Sequence, residues 1–160
     1  MIMEKVATDY VELRFGPRWT YISSVRKFVA NFFMIGLSDK ERAERISMAA
    51  SELLENAVKY ASEDEGYLKI TIAKDDREVD VCVKNKAEPH HINTLRRELA
   101  LIHAGQPEQV YLKKMEEAAM TEGQSRLGLA RIRYEAGAQL RLDVNECEVS
   151  IHAIFDLEQA

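Results

Sequence analysis

Residues Ser51 to Ser62 read "SELLENAVKYAS", which sets a carboxylate at Glu52, a carboxamide at Asn56 and a cation at Lys59. Spacings of four and three put all three on one face of a helix. Glu52 there can take a proton as a general base. Asn56 offers a hard amide oxygen of the kind Mg²⁺ accepts, and Lys59 can offset phosphate charge. The same spacing also suits an ordinary solvated helix face, and spacing alone does not choose between the two.

Upstream, "SDKE" supplies a capping box, with Ser38 at the N-cap and Glu41 three residues on. The helix it opens is expected to run to about Ala61, burying Ile46, Ala50, Leu53, Ala57 and Ala61, until "EDEG" breaks it. Further out, "VELRF" (Val11–Phe15) alternates as a strand does. Tyr21 to about Ile35 reads as a helix burying Ile22, Val25, Val29, Phe32 and Phe33, stopped by Gly36. Two strands, Tyr67–Ala73 and Glu78–Asn85, flank a polar turn. Pro89 to Gly123 is helical, with Leu95, Leu99 and Ile102 on one face and Val110, Met115 and Ala119 on a second helix. "SRLGLARIRYEAG" is a last helix, and strands Gln139–Val144 and Glu148–Phe155 close the chain. The order β-α-α-β-β-(helical insert)-α-β-β makes neighbouring strands hairpins. The fold class expected is α+β: a two-layer α/β sandwich, mixed or antiparallel, with helices on one face and one domain over residues 1–160.

Composition narrows the function. The 160 residues are 46% hydrophobic and 31% charged, as in a soluble globular domain. A net charge of -5 offers no basic stripe to replace counterions on phosphate, so nucleic acid is not an expected partner. Asn31 interrupts the longest apolar run, "FVANFFMIGL", which is too short to span a bilayer. The N-terminus lacks a signal-peptide core, so a cytoplasmic location is expected. Cys82 and Cys147 stand far apart and read as reduced core residues. His90 and His91 have no second ligand pair nearby and read as an exposed loop, while His103 and His152 are assigned no role. Trp19 and Tyr21 are expected to anchor the first helix.

With those residues in view, the chain resembles the histidine-kinase-like ATPase superfamily that includes gyrase and MutL. "SELLENAVKYA" is similar to its N-box, where a catalytic Glu is followed four residues later by a magnesium-binding Asn. Within it, "PRWTYISSVRKFV", "GLSDKERAERISMAASELLENAVKYA" and "SRLGLARIR" resemble the small anti-sigma-factor serine/threonine kinases of bacterial partner switching. The resemblance covers roughly residues 10 to 157. It implies a Bergerat-type ATPase fold, Mg²⁺ and ATP as cofactors, and phosphoryl transfer to a protein partner of the sigma-factor or anti-sigma-antagonist kind. It also implies a homodimer, formed through the first helix and first strand. Glu52 would be the base, Asn56 the metal ligand, Lys59 a phosphate contact and residues 89–125 the lid. The family's Asp-x-Gly-x-Gly adenine loop stands here as "NKAEP", with Asn85 for Asp, Ala87 for Gly and Pro89 for Gly. Its phosphate box stands as "QSRLGL": Leu127, Gly128 and Leu129 match, while Gln124 and Arg126 replace glycines. A Cβ and a fixed φ close off what glycine permits. Two functions follow: an ATP-dependent kinase, or a nucleotide-free module of the same fold that sequesters a protein partner.

Overall fold

A computed structural model describes residues 9–16, 18–73, 78–120 and 127–157. The elements run β1 (Asp9–Phe15), α1 (Trp19–Leu37), α2 (Lys40–Tyr60), β2 (Ala61–Ile72), β3 (Glu78–Ala87), α3 (Pro89–His103), α4 (Pro107–Met120), α5 (Leu127–Tyr134), β4 (Gln139–Asn145) and β5 (Glu148–Asp156). The sheet has the order β1-β2-β3-β5-β4, and every pairing is antiparallel. Helices cover one face. This is the expected α+β sandwich.

The core forms because period-two strands and period-3.6 helices bring their apolar sides to a common layer. Val79, Val81 and Val83 of β3 and Val149, Ile151 and Ala153 of β5 point inward beneath α2. On α2, Ile46, Ala50, Leu53 and Ala57 form the buried stripe. Ala43 and Ala49 add small side chains that let neighbouring elements approach closely. Burial of such aliphatic side chains contributes about 1.5–3 kcal/mol each for the larger ones.

Local signals were displaced in several places. Gly36 lies inside α1; the left-handed residue that ends the helix is Ser38, at φ 53°. The N-cap of α2 is therefore Asp39, whose Oδ1 accepts a hydrogen bond from Arg42 N at 3.2 Å. Helix α2 ends at Tyr60, as expected to within a residue, but "EDEG" is strand, because β2 begins at Ala61 and takes it in through a register shift between Ala61 and Gly66. Gly66 is needed there, since a Cβ would meet the Phe15 ring. Met115 and Ala119 are exposed, and Tyr111 is what α4 buries. Cys147 is exposed rather than in the core. Trp19 and Tyr21 are 61% and 50% exposed, so they do not anchor α1. His90 and His91 lie in the first turn of α3 instead of a loop. No helix among the described residues is long and apolar enough to cross a membrane.

The sheet's other face is polar. There His152 of β5 is pulled up to about pH 9 by its hydrogen bond to Asp80, then by its contact with Cys82, against the opposing effect of burial. A pKa raised above the unfolded value favours the fold while the ring is protonated. That contribution is whole below about pH 6.5 and fades as pH climbs through about 9. Solvent screening leaves it of order 1 kcal/mol. Melting curves at pH 6.5 and 9.5 should differ accordingly, and His152→Gln should flatten that difference.

Candidate functional site

Helix α2 turns two faces to the protein: the buried stripe, and a polar row of Glu52, Glu55, Asn56, Lys59 and Tyr60. That row forms one wall of a cleft. His91, Thr94, Leu95 and Glu98 of α3 stand opposite, Gly128 and Leu129 of α5 close one end, and Trp19 stands at its edge. The cavity is about 110 Å³, against the roughly 300–1,000 Å³ typical of pockets that enclose a drug-sized ligand. Burial first, and then the neighbouring Glu52 charge, raise the pKa of Glu55. The cleft wall is thus a pair of carboxylates beside a carboxamide and a lysine. Among the described residues no group of three or more His, Cys, Asp or Glu side chains is arranged to hold a metal ion.

Glu52 is not free in the cleft. Its Oε1 accepts from Arg131 Nη1 at 3.3 Å, and Arg131 Nε lies 3.2 Å from Glu135 Oε2. Tyr111 of α4 donates to Glu135 Oε1 at 3.1 Å. Burial works against the charge on Arg131, while hydrogen bonds with Glu52 and Tyr111 and the charge of Glu135 outweigh it. A chain of contacts thereby ties the carboxylate of α2 through α5 to α4. A Cβ at Gly128 would fall against Glu52 Oε2, so the glycine leaves room for the carboxylate in this position. The glycine matches the resemblance, yet its visible use is to admit a carboxylate.

The space beside Asn85 and Ala87 is filled. Asn85 is buried at the inner end of β3, and its Nδ2 donates to Lys86 O at 3.1 Å. Ala87 is a strand residue whose N–H bonds Cys147 O at 2.9 Å, and Pro89 is the first residue of α3. Where Asn85 and Ala87 meet Asn56 and Tyr60, the side chains of His91, Ile92 and Leu95 leave a space of about 10 Å³. That is room for one water.

The structure therefore brings Glu52, Asn56, Lys59 and Gly128 to one cleft, and Asn85 and Ala87 to a closed space reached through Asn56. Leu127 opens α5, and Arg126 lies outside the described residues. Sequence reading missed Arg131, Glu55, Glu98 and His91. Helical spacing from Glu52 would have found Glu55; the α3 and α5 residues arrive by tertiary packing and carry no local signal. His91 Nδ1 is buried without a hydrogen-bond partner among the described residues, an orphan that costs about 1–3 kcal/mol unless something meets it.

A family model for the histidine kinase-like ATPase domain matches residues 15–129. A search of curated proteins finds no match. Among solved structures, a chain of the SiaB–SiaC complex from Pseudomonas aeruginosa superposes with a TM-score of 0.69 at 19% identity, covering 89% of each chain. The histidine kinase domain of the blue-light activated histidine kinase from Erythrobacter litoralis gives 0.45 at 17% identity, covering 88% of this chain and 61% of that one.

Proposed function

The chain belongs to the histidine kinase-like ATPase domain family, and from that premise we propose that it is a signalling regulator acting by docking a protein partner, without nucleotide in its resting form. The observation that carries this reading is the filled adenine side: Ile92, Leu95 and His91 of α3 occupy the space beside Asn85. The structural neighbour from Pseudomonas aeruginosa is itself part of a two-protein complex, in keeping with a partner-switching role.

A second reading is favoured by one specific observation. Glu52, Asn56 and Lys59 line a single cleft with Gly128, the set an anti-sigma-factor serine/threonine kinase would use with Mg²⁺ and ATP. Under it, Asn56 would hold the metal, Lys59 would offset phosphate charge, and Glu52, released from Arg131, would accept the substrate hydroxyl proton once α3 had moved aside. Calorimetric titration with Mg-ATP separates the two. The docking reading expects no saturable heat up to millimolar nucleotide. Micromolar binding would establish the kinase reading, and Glu52→Gln should then abolish transfer while leaving affinity nearly unchanged.

Self-association belongs to the same proposal. Tyr21, Val25, Phe28, Phe32 and Ile35 repeat at 4-3-4-3 spacing along α1, beside the stripe Ile22, Val29 and Phe33 that packs on α2. Tyr21, Phe28 and Ile35 are 50%, 40% and 84% exposed, and such spacing is that of a helix pairing with its own copy. Sedimentation is expected to show a dimer at micromolar concentration and a monomer for Phe28→Glu; a monomeric parent protein sinks this part.

A further inference from the structure

The outer face of the sheet carries a cluster that the cleft does not use. One cross-strand row holds Glu12, Lys69, Cys82, His152 and Arg141, on β1, β2, β3, β5 and β4 in turn. His152 Nδ1 lies 3.0 and 3.1 Å from the two carboxylate oxygens of Asp80. Its Nε2 lies 3.6 Å from Cys82 Sγ. A sulfur nucleophile, an imidazole within reach and a carboxylate orienting that ring are the three parts of an activated thiol.

The surrounding carboxylates favour a protonated ring, and the Arg141 guanidinium opposes it. Asp80 faces one nitrogen, and Asp143 Oδ2 stands 3.3 Å from the other. Arg141 Nη2 is 3.4 Å from Nε2, and its Nε pairs with Asp143 at 3.3 Å. On the other side Lys69 pairs with Glu12 at 3.6 Å. With the Asp80 bond holding His152 up to about 9, the ring is an imidazolium at neutral pH. The Nε2–H of that ring faces Cys82 Sγ at 3.6 Å, placed to give up a proton beside the sulfur.

We propose that Cys82 is a peroxide-responsive thiol, oxidised to a sulfenic acid by small hydroperoxides, with His152 as proton donor. The thiolate attacks one oxygen of hydrogen peroxide; the S–O bond forms as the O–O bond breaks. The leaving hydroxide takes the Nε2 proton and departs as water, leaving Cys–S–OH and a neutral imidazole that solvent reprotonates. Sulfur loses two electrons and the peroxide gains them. Size selects the oxidant: Cys82 is 8% exposed, which a water-sized peroxide tolerates and a bulky disulfide does not. The other thiol, Cys147, precedes β5 five residues before His152, about 17 Å along an extended chain. The sulfenic acid therefore has no thiol of its own chain to close upon, and persists as a mark. Nothing in this depends on whether the cleft binds nucleotide.

The test exposes the full-length folded protein to hydrogen peroxide at neutral pH, removes the peroxide with catalase, traps sulfenic acid with dimedone under denaturing conditions, and follows Cys82 and Cys147 separately by peptide mass spectrometry. Cys82 labelling should fall at least about tenfold in His152→Gln and in Asp80→Asn, with Cys147 labelling unchanged. Cys82 left unlabelled in the folded parent, or labelled equally in the variants, overturns the proposal. Should both variants fail to fold by circular dichroism, the parent alone decides: Cys82 oxidised faster than the exposed Cys147 supports the proposal, and Cys82 oxidised more slowly overturns it.

Discussion

Lys114→Met is expected to lower the melting temperature by roughly 6–12 °C, with the double variant Glu98→Gln/Lys114→Met recovering most of the loss. Lys114 of α4 pairs with Glu98 of α3, and their side chains are only 13% and 7% exposed. Removing one partner from a buried pair typically costs about 3 kcal/mol or more, because the remaining charge stays out of water. In a chain of this size each kcal/mol moves the midpoint by about 2–4 °C. Taking both charges away removes that penalty, which is why the double change should be milder than the single one. The pair also has a functional consequence, since Glu98 lines the cleft and Lys114 fastens α4 to the helix that fills it. A shift below about 2 °C for the single variant would mean the pair behaves as a surface contact, and α3 would then be held by its apolar face alone.

How far the sequence could be read follows from how local each determinant is. Strands β3, β4 and β5 and the buried stripe of α2 were legible because periodicity is a property of consecutive residues. The capping error at Ser38 came from two competing uses of one position: the end of α1 claimed it in a left-handed conformation, so Asp39 took the cap. The acidic stretch Ser62–Gly66 looked like a break because its charge resembles a loop's. It lies in β2 toward the sheet's polar face, where Glu63 and Glu65 pair with Lys86 and Arg14. The candidate site divides in the same way. Glu52, Asn56 and Lys59 share a helix and could be grouped by spacing. Arg131 reaches Glu52 from α5 and is tied through Glu135 to Tyr111 of α4. The closed space beside Asn85 is the clearest case, for the substituted glycines were visible in "NKAEP", whereas of the residues that fill the space Leu95 was read on the apolar face of a lid helix and Ile92 was not singled out.

That distinction decides how nucleotide binding could be opened. Restoring the family's loop by Asn85→Asp, Ala87→Gly and Pro89→Gly is expected to fail. Asp at 85 would lose the donor to Lys86 O and leave a buried carboxylate facing a carbonyl oxygen. Glycine at 87 loosens a strand residue that bonds Cys147 O, and glycine at 89 removes the proline that starts α3. Of these only Ala87→Gly takes anything from the wall of the space, one methyl, and none moves the α3 side chains that fill it. Ile92→Ala with Leu95→Ala does, because both line the 10 Å³ remnant beside Asn85 and Asn56. Ile92 is 5% exposed and its truncation alone should cost about 2–5 kcal/mol, with Leu95, half-buried, costing less. If α3 side chains are the obstacle, the double variant should gain at least tenfold in Mg-ATP affinity over the parent, and nucleotide should raise its melting point as binding to the folded state requires. A fluorescent adenine nucleotide at a temperature where circular dichroism shows the variant folded gives the readout. No gain in a folded variant would move the obstacle to the Glu52–Arg131 contact on the phosphate side, and Arg131→Ala on the same background would then be the change that restores binding.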